Sequence, residues 1–431
     1  MGVAFYKKGG IHMNKFKKAV LPFSLCATVL LGGTGCFGFN EKKVSAEELS
    51  KAYTRTATEK TDVTDEFKTS FTDFSLTLFQ QALTRNNQNN LLSPLSAALC
   101  LALVNNGAGG NTRAQLESLF GMDTDTLNRS LYAYTSSLYS ADDCRLSLAN
   151  SLWIKEGLEV KPEFLQTNAD WYGAQAYAAP FNQSTVTDIN HWAYNKTAGK
   201  IDKILDTIPV DAMMYLINAV DFDAKWLYPY EREDIEDGIF HRYDGTESDV
   251  TMLYSQEYRY ILDENAIGFT RPYAGDKYSF MAILPNEGVD IYDYIDTLNA
   301  EKWQAFLEPN SYEYRQVHAR IPEFSYDIDI SLIEALEKLG VTDMFSRTEA
   351  DFTGIHDANM LYCTDLQQKA VIELDRNGTK AAAITLAGIG CKAMDPGALD
   401  PLYITLDRPF VYAIIDHENK LPIFLGAAVN I

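Results

Sequence analysis

From residue 67 onward, apolar side chains fall at Phe67, Phe71, Phe74 and Leu78. Steps of three and four put them on one face of a helix. Beyond Pro94 the run Ala97-Ala98-Leu99-Cys100-Leu101-Ala102-Leu103 is apolar on every side, which predicts a helix buried whole. Further on the pattern shortens. Runs rich in β-branched and aromatic residues at 147–154, 215–222, 278–285 and 370–375 predict strands. The C-terminus predicts a hairpin: strands at 410–415 and 423–429 around the polar turn His417-Glu418-Asn419-Lys420. Helices gather early and strands late, without the alternation that builds a parallel α/β sheet. No repeat and no linker follow residue 65. One large α+β domain over 66–431 is the expectation.

The first 36 residues read differently. Lys15, Lys17 and Lys18 precede an apolar run from 19 to 31, which closes in Gly32-Gly33-Thr34-Gly35 before Cys36. A basic end, an apolar middle and a small-residue exit describe an export signal. Cysteine directly after the small residues resembles a bacterial lipobox, although Gly33 stands where leucine is preferred. Lipidation of Cys36 is the leading expectation, with ordinary signal cleavage or an uncleaved anchor as alternatives. Lys7-Lys8-Gly9-Gly10 is what a purine-rich ribosome-binding sequence would encode if translated, which puts the true start at Met13. The apolar run is shorter than the ~20 residues of a spanning helix, so membrane attachment is expected only through a lipid. Residues 37–65 are polar and threonine-rich, and read as a flexible tether.

Composition narrows the function. With 37 Lys+Arg against 59 Asp+Glu the net charge is −22, which argues against a nucleic-acid partner. Cys100, Cys144, Cys363 and Cys391 stand at no metal or redox spacing and read as mostly free thiols. No Gly-x-Ser-x-Gly, His-Glu-x-x-His, phosphate-loop lysine or Cys-x-x-Cys motif occurs, and the six histidines are scattered singly. Asp375-Arg376-Asn377-Gly378 resembles a calcium loop only superficially, because Leu386 occupies the place of its closing glutamate. Gly107-Ala108-Gly109-Gly110 follows a helix, so it reads as a terminating turn and not a phosphate cradle. Neither an enzyme nor a cofactor is expected.

The informative stretch is 373–396. After the strand at 370–375 and a turn at Asn377-Gly378, small and β-branched residues run without proline as far as Pro396. Taken as a strand, Thr379, Ala381, Ala383, Thr385 and Ala387 share one face, and Lys380, Ala382, Ile384 and Leu386 the other. The first face is small and uncharged, so it could slide between two existing strands without burying a charge or breaking a ladder. An ordinary surface loop or edge hairpin fits these residues as well.

Several motifs taken in order tip the balance. Gly378-Thr379-Lys380-Ala381-Ala382-Ala383 resembles the reactive-loop hinge of inhibitory serpins. Asn90-Leu91-Leu92-Ser93-Pro94-Leu95-Ser96, then Gly107-Ala108-Gly109-Gly110-Asn111-Thr112, is similar to the family's buried second helix and following turn. Asn150-Ser151-Leu152-Trp153-Ile154, Asn190-His191-Trp192, Thr197-Ala198-Gly199-Lys200-Ile201, Asn218-Ala219 with Lys225-Trp226, Arg408-Pro409-Phe410 and Phe424-Leu425-Gly426 continue the resemblance from about residue 66 to 431.

A serpin fold is implied, with helices around a large central sheet and an exposed loop near 376–400. The implied function is suicide inhibition: a serine protease acylates itself on the loop, and the cut loop enters the central sheet. The expected partner is therefore a protease in covalent complex with a monomer. Family spacing puts the reactive bond between Lys392 and Ala393, which suits trypsin-like enzymes with their acidic primary pocket. Cleavage after Ala393 or Met394 would suit elastase- or chymotrypsin-like ones. Ser93, Ser96 and Asn218 would sit where the sheet parts, and Trp226 where insertion begins. A non-inhibitory serpin, acting in binding or as a chaperone, is the alternative. Three departures stand out: Arg376 where inhibitory members usually carry glutamate, Gln368 where many carry histidine, and about six extra residues between 392 and 410.

Overall fold

A computed structural model describes residues 40–53, 55–56, 61–138, 140–141, 143–308, 315–379 and 399–431. Chain order begins with a short strand, Glu47–Glu48 (β1), and helix Asp65–Ala82 (α1). Phe67, Phe71, Phe74 and Leu78 are all buried along α1, as their spacing predicts. Strand Asn90–Leu92 (β2) leads into Pro94–Asn105 (α2), which is buried at all twelve positions. The Ser93 side chain caps α2 and Pro94 opens it, where a missing N–H costs nothing. Helices Gly110–Phe120 (α3) and Thr124–Ser137 (α4) follow, so the glycine run at 107–110 is the turn between α2 and α3.

The middle of the chain supplies strand Cys144–Lys155 (β3), helix Pro162–Tyr172 (α5), strand Gln175–Ala179 (β4), helix Gln183–Lys196 (α6) and strand Met214–Lys225 (β5). Strands Ile235–His241 (β6), Glu247–Glu257 (β7), Arg259–Asp263 (β8), Ala266–Pro272 (β9) and Tyr278–Pro285 (β10) come next. Short helices Ile291–Asp296 (α7) and Ala300–Leu307 (α8) precede strands Val317–Pro322 (β11) and Phe324–Ser331 (β12) and helix Ile333–Lys338 (α9). The chain closes with Gln367–Asp375 (β13), Gly378–Thr379 (β14), Leu402–Thr405 (β15), Phe410–Asp416 (β16) and Leu421–Ala428 (β17).

Among the described residues these strands form three sheets, ordered β1-β4-β3-β5-β14-β13-β12, β2-β17-β16-β10-β9-β8 and β15-β11-β7-β6. The sequence-expected hairpin is β16–β17, antiparallel and buried on both faces. Burial on both sides explains its unbroken apolar runs. The helices pack around the sheets over one continuous apolar core, and a smaller cluster around Trp153, Tyr177 and Trp192 fills the space under α6. This is the α+β arrangement expected from the sequence, with helices around a large central mixed sheet and two smaller ones.

The tether expected over 37–65 is a different matter for its first half. The compact unit begins at Asn40. Glu47 and Glu48 pair antiparallel with Ala178 and Tyr177 of β4, and the Leu49 N–H donates to the Ala176 carbonyl at 2.7 Å. Upstream, the Lys42 backbone N–H donates to the Asn195 side chain and the Ser45 N–H to the Asp188 carboxylate, both at 2.8 Å. The polar composition misled because this segment is held by backbone pairing on an open sheet edge, which needs few apolar anchors. No helix among the described residues is long and apolar enough to cross a membrane.

Candidate functional site

The site grows from the end of β13. The Asp375 carboxylate accepts the backbone N–H groups of Asn377 at 2.6 Å and Gly378 at 3.2 Å, an Asx turn that reverses the chain. Gly378–Thr379 then runs back as β14, wedged between two longer strands. On one side Leu374 and Asp375 face Thr379 and Gly378; on the other, Gly378 and Thr379 face Lys225 and Ala224 of β5. Gly378 has φ +150°, and a Cβ there would lie 2.1 Å from the Ala224 carbonyl oxygen. Only glycine permits this approach.

An aromatic shelf supports the turn. The Trp226 backbone N–H donates to the Asn377 carbonyl at 3.0 Å, and its indole N–H to the Asp375 carbonyl at 2.9 Å. Tyr273 stacks on the Trp226 ring at 4.7 Å and 6°, and its hydroxyl lies 2.7 Å from Thr379 Oγ1. Beneath them the Arg271 guanidinium sits 4.1 Å from the Tyr230 ring centroid and 5.1 Å from that of Trp226, with Nη1 donating to buried Glu257 at 2.5 Å. Burial pushes the Glu257 carboxyl above the usual range, and the attraction of Arg271 opposes that push.

Lower down the sheet, β13 is tied to the cap of α2. The Gln368 side-chain amide accepts from the Ser93 N–H at 2.7 Å and donates to the Ser93 carbonyl at 2.9 Å. The Ser93 hydroxyl donates to the Ile423 carbonyl on β17 at 2.9 Å and accepts from the Ser96 N–H at 3.3 Å. Asn218 turns the other way: its amide donates to Asn150 Oδ1 on β3 at 2.8 Å, leaving its own carbonyl oxygen buried without a partner. Ser96, Asn218 and Gln368 line a cavity of about 60 Å³ between the lower halves of β5 and β13. Below β14, no backbone pairing joins β5 to β13 among the described residues.

The sequence-derived residues thus fall into two groups. Gly378, Thr379 and Trp226 meet at the upper end, while Ser93, Ser96 and Asn218 surround the lower parting. Ala381, Ala382, Ala383, the reactive-bond candidates Lys392, Ala393 and Met394, and Cys36 lie outside the described residues. Tyr273 and Arg271 escaped the sequence reading, because residues brought beside the turn from distant parts of the chain carry no local signal. The Asp-x-Asn-Gly turn was the one recoverable cue.

This architecture has clear relatives. The family model described as serpin (serine protease inhibitor) matches residues 69–431. The thermophilic serpin tengpin, solved in its native state, is 38% identical with a TM-score of 0.84, over 90% of this chain and 100% of that one. Its latent state superposes less well, with a TM-score of 0.77. Leukocyte elastase inhibitor A of Mus musculus is 30% identical over 370 residues, covering 82% of this chain and 96% of its own. The chain belongs to the serpin family.

Proposed function

We propose that this protein is a suicide-substrate inhibitor of serine proteases, working by insertion of its cleaved loop between β5 and β13. One observation carries the reading: Gly378–Thr379 already pairs with both strands at their upper ends, while nothing among the described residues pairs them below. A strand continuing from Thr379 would find one unpaired strand edge on either side. At about 1 kcal/mol net per hydrogen bond, each residue zipped in adds driving force.

In the proposed sequence the protease serine attacks the Lys392 carbonyl. The peptide bond to Ala393 breaks, the Ala393 amine leaves as a new N-terminus, and Lys392 stays esterified to the protease. Residues from 380 onward then enter the sheet and carry the acyl-enzyme with them. Lysine at the bond favours trypsin-like targets. Relatives named as leukocyte elastase inhibitors favour cleavage after Ala393 or Met394 instead. Export, with lipidation at Cys36, is part of the same proposal and would place the inhibitor in the cell envelope. Radiolabelled palmitate incorporated by the parent chain and lost in Cys36→Ala tests it.

The deciding experiment mixes the purified protein with trypsin and, separately, with elastase. A denaturation-resistant complex on a gel, with the new N-terminus at Ala393, is the expected result. Clean cleavage with no complex from either enzyme would overturn it in favour of a non-inhibitory binding role.

A further inference from the structure

A second cavity, of about 90 Å³, opens beside the foot of β5. Five sulfur-bearing residues are among those lining it: Cys100 from α2, Met213 and Met214 at the entry to β5, and Met360 and Cys363 from the segment leading into β13. The whole chain holds 10 methionines and 6 cysteines among 431 residues, so this concentration at one small cavity is far from an even spread. Cys100 is a buried free thiol, its Sγ 3.8 Å from the Leu216 carbonyl; the Cys363 thiol, also free, donates to the Asp365 carbonyl at 3.3 Å. Met360 is exposed and gives an entrance.

The chemistry of this donor set is specific. Thioethers are neutral and polarisable, and bind soft monovalent ions where hard cations prefer carboxylate and carbonyl oxygen. Among the described residues no group of three or more His, Cys, Asp or Glu side chains is arranged to hold a metal, so a zinc-type site has no basis here. We propose that this cavity is a binding site for a soft monovalent cation of the Cu(I) class, held by Cys100 and Cys363 with methionine thioethers completing the shell.

Binding by both cysteines follows 2 Cys–SH + Cu(I) → [Cys–S–Cu–S–Cys]⁻ + 2 H⁺, with no change of oxidation state. Because binding releases protons, affinity should fall on acidification. An ion here would join α2 and the approach to β13 across the foot of β5.

The test is anaerobic transfer of Cu(I) from bathocuproine disulfonate to the full chain, followed by loss of the chelator's colour. Cys100→Ser and Cys363→Ser should each lose one high-affinity equivalent, and Cys144→Ser, buried on β3, should lose none. Met214→Leu keeps the packing volume and should weaken binding severalfold even if a serine variant folds poorly. X-ray absorption of the loaded parent protein should show a sulfur-only shell. Failure to take Cu(I) from the chelator, equal loss in the Cys144 variant, or a nitrogen and oxygen shell would each overturn the proposal.

Discussion

Arg376 and Glu323 are joined by three hydrogen bonds at the mouth of the sheet. Glu323 Oε1 accepts both the Arg376 backbone N–H and its Nε–H, each at 3.1 Å, while Nη2 reaches Oε2 at 3.4 Å. Glu323 sits between β11 and β12, so the contact fastens the turn after β13 to the neighbouring strand pair. Arginine at 376, a departure from the usual glutamate of inhibitory serpins, is thus matched to its acidic neighbour. Arg376→Glu should place like charges together and destabilise the protein by about 1 kcal/mol, the upper range for half-exposed pairs. The double change Arg376→Glu with Glu323→Arg should recover most of the loss. Urea unfolding of the three chains measures it.

Gly378→Ala should expel β14 from the sheet, because its Cβ would overlap the Ala224 carbonyl. The expected result is faster amide exchange at Ala224, Lys225 and Thr379 while the β16–β17 pair stays protected. Unchanged exchange at these amides would show that the glycine is not what seats β14.

Gln368→Ala should cost about 2 kcal/mol, since it leaves the buried Ser93 N–H without its partner and takes one of two donors from the Ser93 carbonyl, which keeps the Ala97 N–H. Gln368→Glu, which keeps the acceptor for the Ser93 N–H, should cost less unless burial of its charge dominates near neutral pH. Thermal melting at pH 5 and pH 7 separates these two terms.

Acid sensitivity should trace in part to His417. Its Nδ1 faces the Asp276 carbonyl at 3.0 Å, and its Nε2 faces the fully buried Ser279 hydroxyl at 2.5 Å. Burial, aided by nearby Arg259, lowers its pKa below the ordinary 6.5. Unfolded chains therefore take up a proton near pH 6.5 that the folded protein refuses, and stability falls as pH drops through that value. The slope from this group is at most about 1.4 kcal/mol per pH unit. His417→Gln should flatten the loss between pH 6.5 and 5.5 relative to the parent chain. Glu257 and Asp416, whose pKa values burial raises, act with the opposite sign in both chains and cancel in the comparison.

Periodicity and local chemistry alone determined much of this protein. The buried α2, the amphipathic α1 and the β16–β17 hairpin were legible because burial repeats at the period of each element. The turn at Asn377-Gly378 was legible because Asp, Asn and Gly have backbone preferences that need no partner. Tertiary structure alone decided the rest. Residues 40–53 look like solvated linker, yet they dock, since a sheet edge recruits backbone groups that every sequence carries. Arg376 looked like a liability until Glu323 came beside it, and Gln368 looked like a missing histidine until it clasped Ser93. The parting of β5 from β13 and the gathering of five sulfur-bearing residues around a cavity at its foot have no local signature either. Each depends on segments more than 50 residues apart, and a one-dimensional pattern carries no term for such distance.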